Sequence, residues 1–323
     1  LPLLCLIKFR SLLILYKSIF QLYMKIYDCF MFFDEEMLLD LRLNIMDKYV
    51  DKFVITEASY MHSGTRKKLI FDINKFRKFK DKIIYIAIDQ EPEDLYQIDE
   101  KAEINARDRK RKLNAYKREI YQIQKTQDGL INAESDDMII VSDLDEIPNL
   151  ETVNLKNINQ KLIFFKQKFF CYKLNLLYKS MPWWGSKACK KKYLKSPQWL
   201  RSLKNKKYPL WRIDALFSEK KYNDIFFVKN GGWHFTNVRD PKDLEKKLLN
   251  FLHHIDFEHS GIKKNDLEKL MSEKRIMYKH NIDSRRSEHD KWGMGEKLYK
   301  SELNELPKYI ISNIEKYKYW LDI

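Results

Sequence analysis

An apolar segment that runs directly into a cluster of acids constrains this chain more than any other feature. Residues 138–148 read Met-Ile-Ile-Val-Ser-Asp-Leu-Asp-Glu-Ile-Pro. A short apolar run of this kind is typical of a buried strand. Asp143 and Asp145 lie two positions apart, so on an extended chain they face the same way and offer hard oxygen ligands to Mg²⁺ or Mn²⁺. Ligands of open α/β sheets bind beyond the carboxyl ends of strands, so the segment predicts a metal-assisted site for a phosphate ligand.

The first half of the chain alternates between strand and helix patterns. Helices are predicted at residues 34–46, where acids occupy the first turn, and at residues 100–127. Strands separated by helices imply crossover connections and a mainly parallel sheet. We therefore expect an α/β fold with a Rossmann-type, mainly parallel sheet flanked by helices. The strands predicted for this half are residues 26–33, 52–57, 83–88 and 138–142.

The second half has a different character. Strands are predicted at residues 162–172 and 224–229, with loops rich in Trp, Pro and Lys between them. The remainder is predicted to be helical, at residues 241–257, 264–280 and 306–321. The sequence has no internal repeat and no low-complexity linker. We therefore divide it into an N-terminal segment (1–23), a catalytic domain (24–257) and a helical C-terminal extension (258–323).

Composition narrows the class of protein. The chain has 323 residues, of which 44% are hydrophobic, so it can bury a large core in one big domain or two small ones. Its net charge is +15, but the lysines are dispersed, which favours a solvated basic surface over a nucleic-acid interface. Cys5, Cys29, Cys171 and Cys189 form no Cys-x-x-Cys pair, so reduced thiols are expected. The possibility of a single disulfide between Cys171 and Cys189 stays open.

Residues 1–23 are apolar but contain Lys8, Arg10 and Lys17. Three cations within about 20 residues argue against a membrane-spanning helix. Three interpretations stay open: a signal-anchor, an amphipathic surface helix, or upstream sequence outside the mature protein. We expect Met24 to be the functional start. The expected location is the cytoplasm or a membrane surface, or a Golgi-type lumen if the segment acts as a signal-anchor.

A second segment with candidate functional residues reads Gly-Gly-Trp-His-Phe at residues 231–235. Two glycines allow the backbone to turn sharply or to approach a ligand closely. His234 suits a metal or a phosphate, although a histidine between two aromatic residues is more often a buried side chain with a satisfied hydrogen bond. The residues of this segment alone favour the second interpretation.

The loops between residues 181 and 233 are rich in tryptophan. Most tryptophans are ordinary core residues, but aromatic faces also stack on sugar rings and the indole N–H still bonds a hydroxyl, so five in loop-like sequence indicate a candidate carbohydrate platform. Arg201 and Arg212 lie in the same region, and a planar guanidinium binds diphosphates through two parallel hydrogen bonds. The residues of this cluster are Trp183, Trp184, Trp199, Trp211 and Trp233.

Several motifs occur in a fixed order along the chain. They are Tyr-Asp-Cys-Phe-Met-Phe-Phe-Asp-Glu at 27–35, Leu-Arg-Leu at 41–43, Asp-Lys-Phe-Val-Ile-Thr-Glu-Ala at 51–58, Asn114 to Gln122, Asp-Leu-Asp-Glu-Ile-Pro at 143–148 and Gly-Trp-His-Phe-Thr at 232–236. Together they resemble glycosyltransferase family 17, which includes β-1,4-mannosyl-glycoprotein 4-β-N-acetylglucosaminyltransferase. The resemblance covers residues 25–257. It departs from the family pattern at Tyr116, where Trp is usual, at Ile123, where Arg is usual, and mildly at Thr236.

The resemblance implies a GT-A-like fold and an inverting transferase that uses a UDP-sugar. It also implies N-acetylglucosamine as the sugar, a glycan or glycoconjugate as the acceptor, and Mn²⁺ or Mg²⁺ as the cofactor. Asp143 and Asp145 then bind the metal, and the resemblance adds His234 as a third ligand. The candidate catalytic residues are Glu57, Glu146 and Asp214, the last as general base; the candidate donor-binding residues are Glu35, Arg42, Arg201 and Trp184.

Two other classes of protein remain as alternatives. Phosphatases of the haloacid-dehalogenase type also place Asp-x-Asp after an apolar strand, usually the first, and follow it with Thr or Val. This chain has Glu146-Ile147 there and contains no Gly-Asp pair for the second metal motif of those enzymes. A basic module that binds nucleic acid or membrane would leave the acid cluster unexplained.

Overall fold

Two β-sheets and the helices packed on them form the part of the chain that the computed structural model describes, residues 24–209, 211, 218–280 and 286–323. The strands are β1 (Ile26–Met31), β2 (Lys52–Ala58), β3 (Ile83–Ile88), β4 (Met138–Val141), β5 (Glu146–Pro148), β6 (Leu162–Phe165), β7 (Gln167–Cys171), β8 (Leu176–Trp183), β9 (Lys187–Lys190), β10 (Ile225–Val228), β11 (Gly232–Thr236) and β12 (Tyr299–Lys300). The helices are α1 (Glu36–Met46), α2 (Ile104–Gln124), α3 (Pro197–Ser202), α4 (Pro241–Leu248), α5 (His254–Ser260), α6 (Lys264–Ser272), α7 (Glu288–Lys291), α8 (Lys308–Ser312) and α9 (Ile314–Tyr317).

The first sheet has the strand order β10-β6-β9-β4-β1-β2-β3. β1 pairs in parallel with both β2 and β4, so that Cys29 lies opposite Val54 on one side and Val141 on the other. β9 runs antiparallel to its neighbours β4 and β6. The continuous apolar run of β4 is fully buried, as a strand with neighbours on both faces requires. Successive strands extend from β1 to β3 and then return to β4 on the other side of β1, so the order reverses between β1 and β4.

The second sheet has the order β12-β8-β7-β11-β5 and brings the two functional segments of the sequence together. β11 pairs antiparallel with β5, and His234 lies opposite Glu146. Gly232 makes this pairing possible, because it has a φ of +125° and an added Cβ would lie 2.1 Å from the carbonyl oxygen of Ile147. The strand predicted at residues 162–172 is in fact two strands, β6 and β7, which belong to different sheets.

The C-terminal region packs closely against the rest of the described chain. The predicted helix at 241–257 is divided into α4 and α5, and the one at 264–280 ends at Ser272. α5 crosses the boundary expected after residue 257, and its Glu258 and His259 bind Arg111 and Asp108 of α2. The helix predicted at 306–321 is two short helices, α8 and α9, whose apolar side chains join the main core.

The described part of the chain contains neither a membrane-spanning helix nor a disulfide bond. None of its helices has both the length and the apolar character that crossing a membrane requires. Cys29, Cys171 and Cys189 are buried and free, so the disulfide left open between Cys171 and Cys189 is absent. Residues 1–23, including Cys5, lie outside the described ranges.

Candidate active site

Arg42 holds residues 142–145, called the acid loop, in place through its buried guanidinium. β4 ends at Val141 and β5 begins at Glu146, so the two aspartates occupy the short loop between them. The buried guanidinium of Arg42 binds both carboxylate oxygens of Asp28, at 2.8 and 2.6 Å, and donates to Ser142 Oγ at 2.6 Å. It also donates to the carbonyl oxygens of residues 143, 144 and 146, at 2.9, 3.1 and 2.8 Å. All three guanidinium nitrogens of Arg42 therefore donate to protein acceptors, and Arg42 positions the loop.

Asp143 is held by Arg201, a residue of α3. Arg201 Nε and Nη2 donate to the two carboxylate oxygens of Asp143 at 3.1 and 2.9 Å, and Nη2 also reaches Glu119 Oε1 at 3.1 Å. Burial alone would raise the pKa of Asp143, but the adjacent guanidinium more than offsets it, and the pKa lies below its usual value. The structure therefore brings two predicted residues, Asp143 and Arg201, into direct contact.

Lys187 orients the helix that carries Arg201. Its ammonium group is buried at the C-terminal end of α3 and donates to the carbonyl oxygens of Arg201 and Leu203, the latter at 2.6 Å. Cations are favourable at this end of a helix because the backbone carbonyls there carry partial negative charge. Burial nevertheless lowers the pKa of Lys187 to about 8.

Asp145 and His234 face each other across the pair of strands β5 and β11. His234 Nε2 lies 3.6 Å from Asp145 Oδ1, and the backbone N–H of Phe235 donates to the Asp145 carbonyl at 2.8 Å. The imidazole stacks on Trp183 with ring centroids 4.5 Å apart. His234 Nδ1 is buried and has no hydrogen-bond partner in the described structure. The buried histidine with satisfied hydrogen bonds, which the residues of this segment alone had favoured, is therefore not what is observed.

Glu146 braces the same loop from inside the protein. Its carboxylate accepts hydrogen bonds from the Asp143 backbone N–H at 2.8 Å and from Trp183 Nε1 at 2.5 Å. Burial, followed by the negative charge of Asp143, raises its pKa above the usual value. Gly185 leaves room for this carboxylate, because an added Cβ would lie 2.0 Å from it. Glu146 therefore supports the loop and the indole, and does not face solvent.

Glu57 ends β2 at the same edge of the sheet, but its carboxylate is turned into the protein. It is fully buried and accepts hydrogen bonds from Lys67 Nζ at 2.5 Å and Tyr85 Oη at 2.9 Å. The backbone N–H groups of residues 70 and 71 also donate to it, at 2.9 and 3.0 Å. These contacts make Glu57 the anchor of the segment from residue 67 to residue 71.

Glu35 follows β1 and is half-buried between two cations. Arg239 Nη2 lies 2.7 Å from its Oε1 and also binds Asp34, and Lys247 Nζ lies 3.9 Å away. Burial would raise the pKa of Glu35, but Arg239 and Lys247 lower it to about 2. Glu35 is therefore an ionised carboxylate with a cationic partner.

The structure distinguishes the two adjacent tryptophans. Trp183 bonds Glu146 and stacks on His234, whereas Trp184 packs edge-on against Phe227, with ring centroids 5.2 Å apart. Trp183 therefore contacts the acid loop, and donor binding by Trp184 stays a prediction. Asp214, the predicted general base, and Arg212 lie outside the described residues.

Sequence reasoning overlooked several polar residues at this edge of the sheet. His62 follows β2 and is half-buried; burial lowers its pKa, and Glu119 and Asp143 act in the opposite direction. Position could have found His62, because polar residues that follow parallel strands collect at one edge of a sheet. The other overlooked residues do not follow a parallel strand of the first sheet, so this signal does not mark them. The overlooked residues are His62, Lys187, Arg239 and Lys247.

The donor atoms near Asp145 suit a hard divalent cation. No group of three or more His, Cys, Asp or Glu side chains arranged to hold a metal ion occurs within the described ranges. Mg²⁺, however, is usually bound by one or two carboxylates, with water and substrate phosphates completing its shell. Asp145 supplies such a carboxylate, and His234 presents Nε2 beside it. The residues present therefore fit an ion that is completed by its substrate.

Comparison with known proteins gives one result for nearly the whole chain. The family model for glycosyltransferase family 17 matches residues 16–322. No curated protein and no solved structure matches the chain. The match extends beyond residue 257, where the sequence resemblance was expected to end, and it includes the region from α5 to α9.

Proposed function

This chain belongs to glycosyltransferase family 17, and we propose that it transfers N-acetylglucosamine from a UDP-sugar to a hydroxyl of a glycan or glycoconjugate. We propose an inverting reaction that depends on Mn²⁺ or Mg²⁺. The observation that carries the proposal is the loop with Asp143 and Asp145, which Arg42 fixes at the carboxyl end of β4, beside His234. This arrangement offers both anionic and cationic groups to a sugar nucleotide at one edge of the sheet.

We propose a GT-A-like, Rossmann-type architecture for the first sheet. Support comes from the order β3-β2-β1-β4, in which neighbouring strands are parallel. Nucleotides bind open α/β sheets where the strand order reverses, outside the carboxyl ends of the strands. Here the reversal lies between β1 and β4, and the segments that follow these strands carry Glu35 and Asp143. The position of the acids thus agrees with a nucleotide site.

Asp145 and His234 would hold the metal ion directly, and Asp143 would act through water because Arg201 binds both of its oxygens. When bound, the ion would neutralise charge on the diphosphate. Arg201 can add a second positive group there. Its side chain is 22% exposed, and its Nη1 has no hydrogen-bonded acceptor in the described part of the chain. We therefore assign Arg201 to the donor phosphates.

Inversion is a single displacement by an acceptor hydroxyl, and a base must remove the hydroxyl proton. Asp214 remains our proposal for that base. Glu57 and Glu146 are buried and accept hydrogen bonds from protein N–H and O–H groups. We therefore assign these two glutamates to positioning, with Glu146 holding Trp183 where its ring can form a wall for the transferred sugar.

A phosphatase of the haloacid-dehalogenase type is the less favoured activity. Its first aspartate must attack phosphorus, which requires a carboxylate oxygen that is free to approach the substrate. In this structure Arg201 binds both oxygens of Asp143. The strand before Asp143 is also the fourth along the described chain, whereas those phosphatases use the first.

The proposal is tested by incubating the protein with Mn²⁺ and individual UDP-sugars and following UDP release with and without candidate acceptors. Asp145→Ala should abolish release because it removes a direct ligand of the proposed metal ion, and Asp143→Ala should do so because it removes the carboxylate that would act through water and that binds Arg201. Asp136→Ala is the matched control, since this aspartate precedes the same strand at its opposite end and its side chain is 58% exposed.

Three outcomes would reject the proposal. The first is that no UDP-sugar is bound or hydrolysed, and that both loop variants equal the control. The second is release of phosphate from phosphomonoesters, which would indicate the phosphatase. The third is DNA binding that falls with salt and is unaffected by the loop substitutions, which would indicate a nucleic-acid module.

A further inference from the structure

We infer that Lys247 binds the diphosphate of the donor substrate. This inference rests on the proposed function, because it requires a nucleotide sugar at the acid loop. Lys247 would be an additional donor-binding residue. It lies in α4, far along the chain from the Asp-x-Asp segment, and belongs to none of the motifs that carried the family resemblance.

The helix directs Lys247 toward the site. Lys247 lies in the last turn of α4, three residues after Leu244, so the two side chains share a face of the helix. Leu244 is fully buried in the core that α4 helps to close. The aliphatic part of Lys247 is largely covered as well, leaving the side chain 18% exposed, whereas the preceding Lys246 is exposed to solvent.

Lys247 differs from the other cations of the site in its hydrogen bonding. Arg42 binds Asp28, Arg201 binds Asp143, and Arg239 binds Glu35, each at hydrogen-bond distance. The nearest carboxylate oxygen to Lys247 Nζ is Glu35 Oε1, at 3.9 Å, which is too long for a hydrogen bond. Across the described ranges, the Lys247 ammonium has no hydrogen-bonded acceptor.

The proximity of Lys247 to Glu35, 3.9 Å between Nζ and Oε1, places it near the end of β1. After the larger effects of burial and Arg239, it contributes to the lowered pKa of Glu35, which follows β1. β4, which precedes Asp143, pairs with β1 in parallel, so the segments that follow these two strands are neighbours. Lys247 therefore lies beside the segment that follows β1, at the side of the sheet where the strand order reverses between β1 and β4.

A phosphate group is the ligand that this ammonium suits. A cation that has lost most of its water without gaining an acceptor is held at a cost in free energy. Lysine acts on phosphates as a compact point charge with three donors, so it needs no fixed partner geometry. Diphosphate oxygens placed over the acid loop would supply the missing acceptors, and the ammonium would stabilise the charge that develops on the leaving group.

The test compares Lys247→Ala with Lys246→Ala, a matched loss of one lysine from the same helix turn. UDP binding is measured by titration calorimetry in the presence of Mn²⁺, and uridine binding by ligand-observed NMR. A hydrogen bond to a charged group is worth about ten- to hundredfold in affinity. We expect Lys247→Ala to bind UDP about ten- to hundredfold more weakly than the wild type and to bind uridine with unchanged affinity. Lys247→Arg should retain most of the affinity for UDP, and Lys246→Ala should bind UDP as tightly as the wild type.

The outcomes separate this inference from the proposed function. If the wild type binds UDP and Lys247→Ala binds it equally well, the role of Lys247 is refuted and the transferase proposal stands. An equal loss for UDP and uridine would also refute it, because the effect would then not depend on phosphate. If the wild type binds neither UDP nor any UDP-sugar, both proposals are overturned.

Discussion

Replacing Arg42 with methionine tests the buried ion pair on which the acid loop rests. Methionine keeps most of the apolar stem and removes the guanidinium. The carboxylate of Asp28 is then left fully buried, having lost two hydrogen bonds of 2.8 and 2.6 Å. Ser142 Oγ and the carbonyl oxygens of residues 143 and 144 lose their donor as well.

The expected loss of stability follows from this burial. Breaking a buried ion pair by removing one partner costs about 3–5 kcal/mol, because the remaining charge has no compensation. The carbonyl of Glu146 keeps its bond from Ser186 Oγ, at 2.9 Å, and water can reach the half-buried Asp143, so among the carbonyls only that of Leu144 is left buried without its donor, and the stranded charge of Asp28 dominates the cost. We therefore expect Arg42→Met to lower the free energy of unfolding by about 3–5 kcal/mol.

Urea unfolding followed by circular dichroism measures this difference. Lys75→Met is the matched control, because Lys75 pairs at 2.5 Å with Glu36 of the same helix α1, but the two side chains are 52% and 41% exposed. An exposed pair contributes at most about 1 kcal/mol. Adding Asp28→Asn to Arg42→Met removes the uncompensated charge, so the double variant should be more stable than Arg42→Met alone.

Two results would refute this reasoning. One is a loss for Arg42→Met no larger than that for Lys75→Met. The other is a double variant as unstable as Arg42→Met, which would mean that the stranded charge of Asp28 is not the source of the cost. Either result would remove the ion pair as the physical reason for the position of the loop.

Three further predictions follow from the same contacts. Gly185→Ala should displace the Glu146 carboxylate and cost about 1–3 kcal/mol of unfolding free energy, measured in urea; an unchanged midpoint and slope would contradict the close approach. The pKa of Glu35 beside Arg239 is about 2, so the ionised carboxylate contributes about 3 kcal/mol to the free energy of unfolding above pH 4.5, and this contribution is lost as the pH falls toward 2. Glu35→Gln should therefore make stability depend less on pH in this range. An unchanged pH dependence of the unfolding free energy would count against this role of Glu35. Lys187 has a pKa of about 8 in the folded protein and 10.5 in the unfolded chain, so the unfolded state binds more protons between these pH values and the free energy of unfolding rises with pH there. Lys187→Met should lose this rise in stability. If the variant retains the rise, Lys187 is not the group that causes it.

The sequence predicts the local elements well because their signals are local. The apolar run at Met138–Val141 forms a strand, and the helix with acids in its first turn spans Glu36–Met46. The division of residues 162–172 into two strands could not be predicted, because periodicity does not say which sheet a strand joins. Lys166 lies between β6 and β7, and its N–H donates to the carbonyl of Val228 in β10 at 3.0 Å.

The roles of the candidate residues depended on contacts that are distant in sequence. Arg42 reaches acceptors that lie 100 to 104 positions further along the chain, so no local pattern indicates that it supports the acid loop. Motif resemblance can mark Arg42, Glu57 and Glu146 as functional, yet it does not separate a residue that touches substrate from one that holds a neighbour. Burial makes that separation, since all three are buried and bonded to protein groups.

The net charge of +15 is informative only once the partner of each cation is known. Helix α2 carries seven Lys and Arg residues in 21 positions, a basic stretch of the kind that can bind nucleic acid. Four of its cations instead bind acids from other segments: Arg111 with Glu258, Lys112 with Asp256, Lys117 with Asp94, and Arg118 with Glu91. These pairs tie the helix to the loop before it and to α5. A cation already held by a carboxylate gains less from a phosphate, because it must first give up that partner. At the acid loop, Arg201 keeps only Nη1 free of an acceptor, whereas the whole ammonium of Lys247 lacks a hydrogen-bonded acceptor among the described residues, so Lys247 can bind a phosphate without giving up a hydrogen bond.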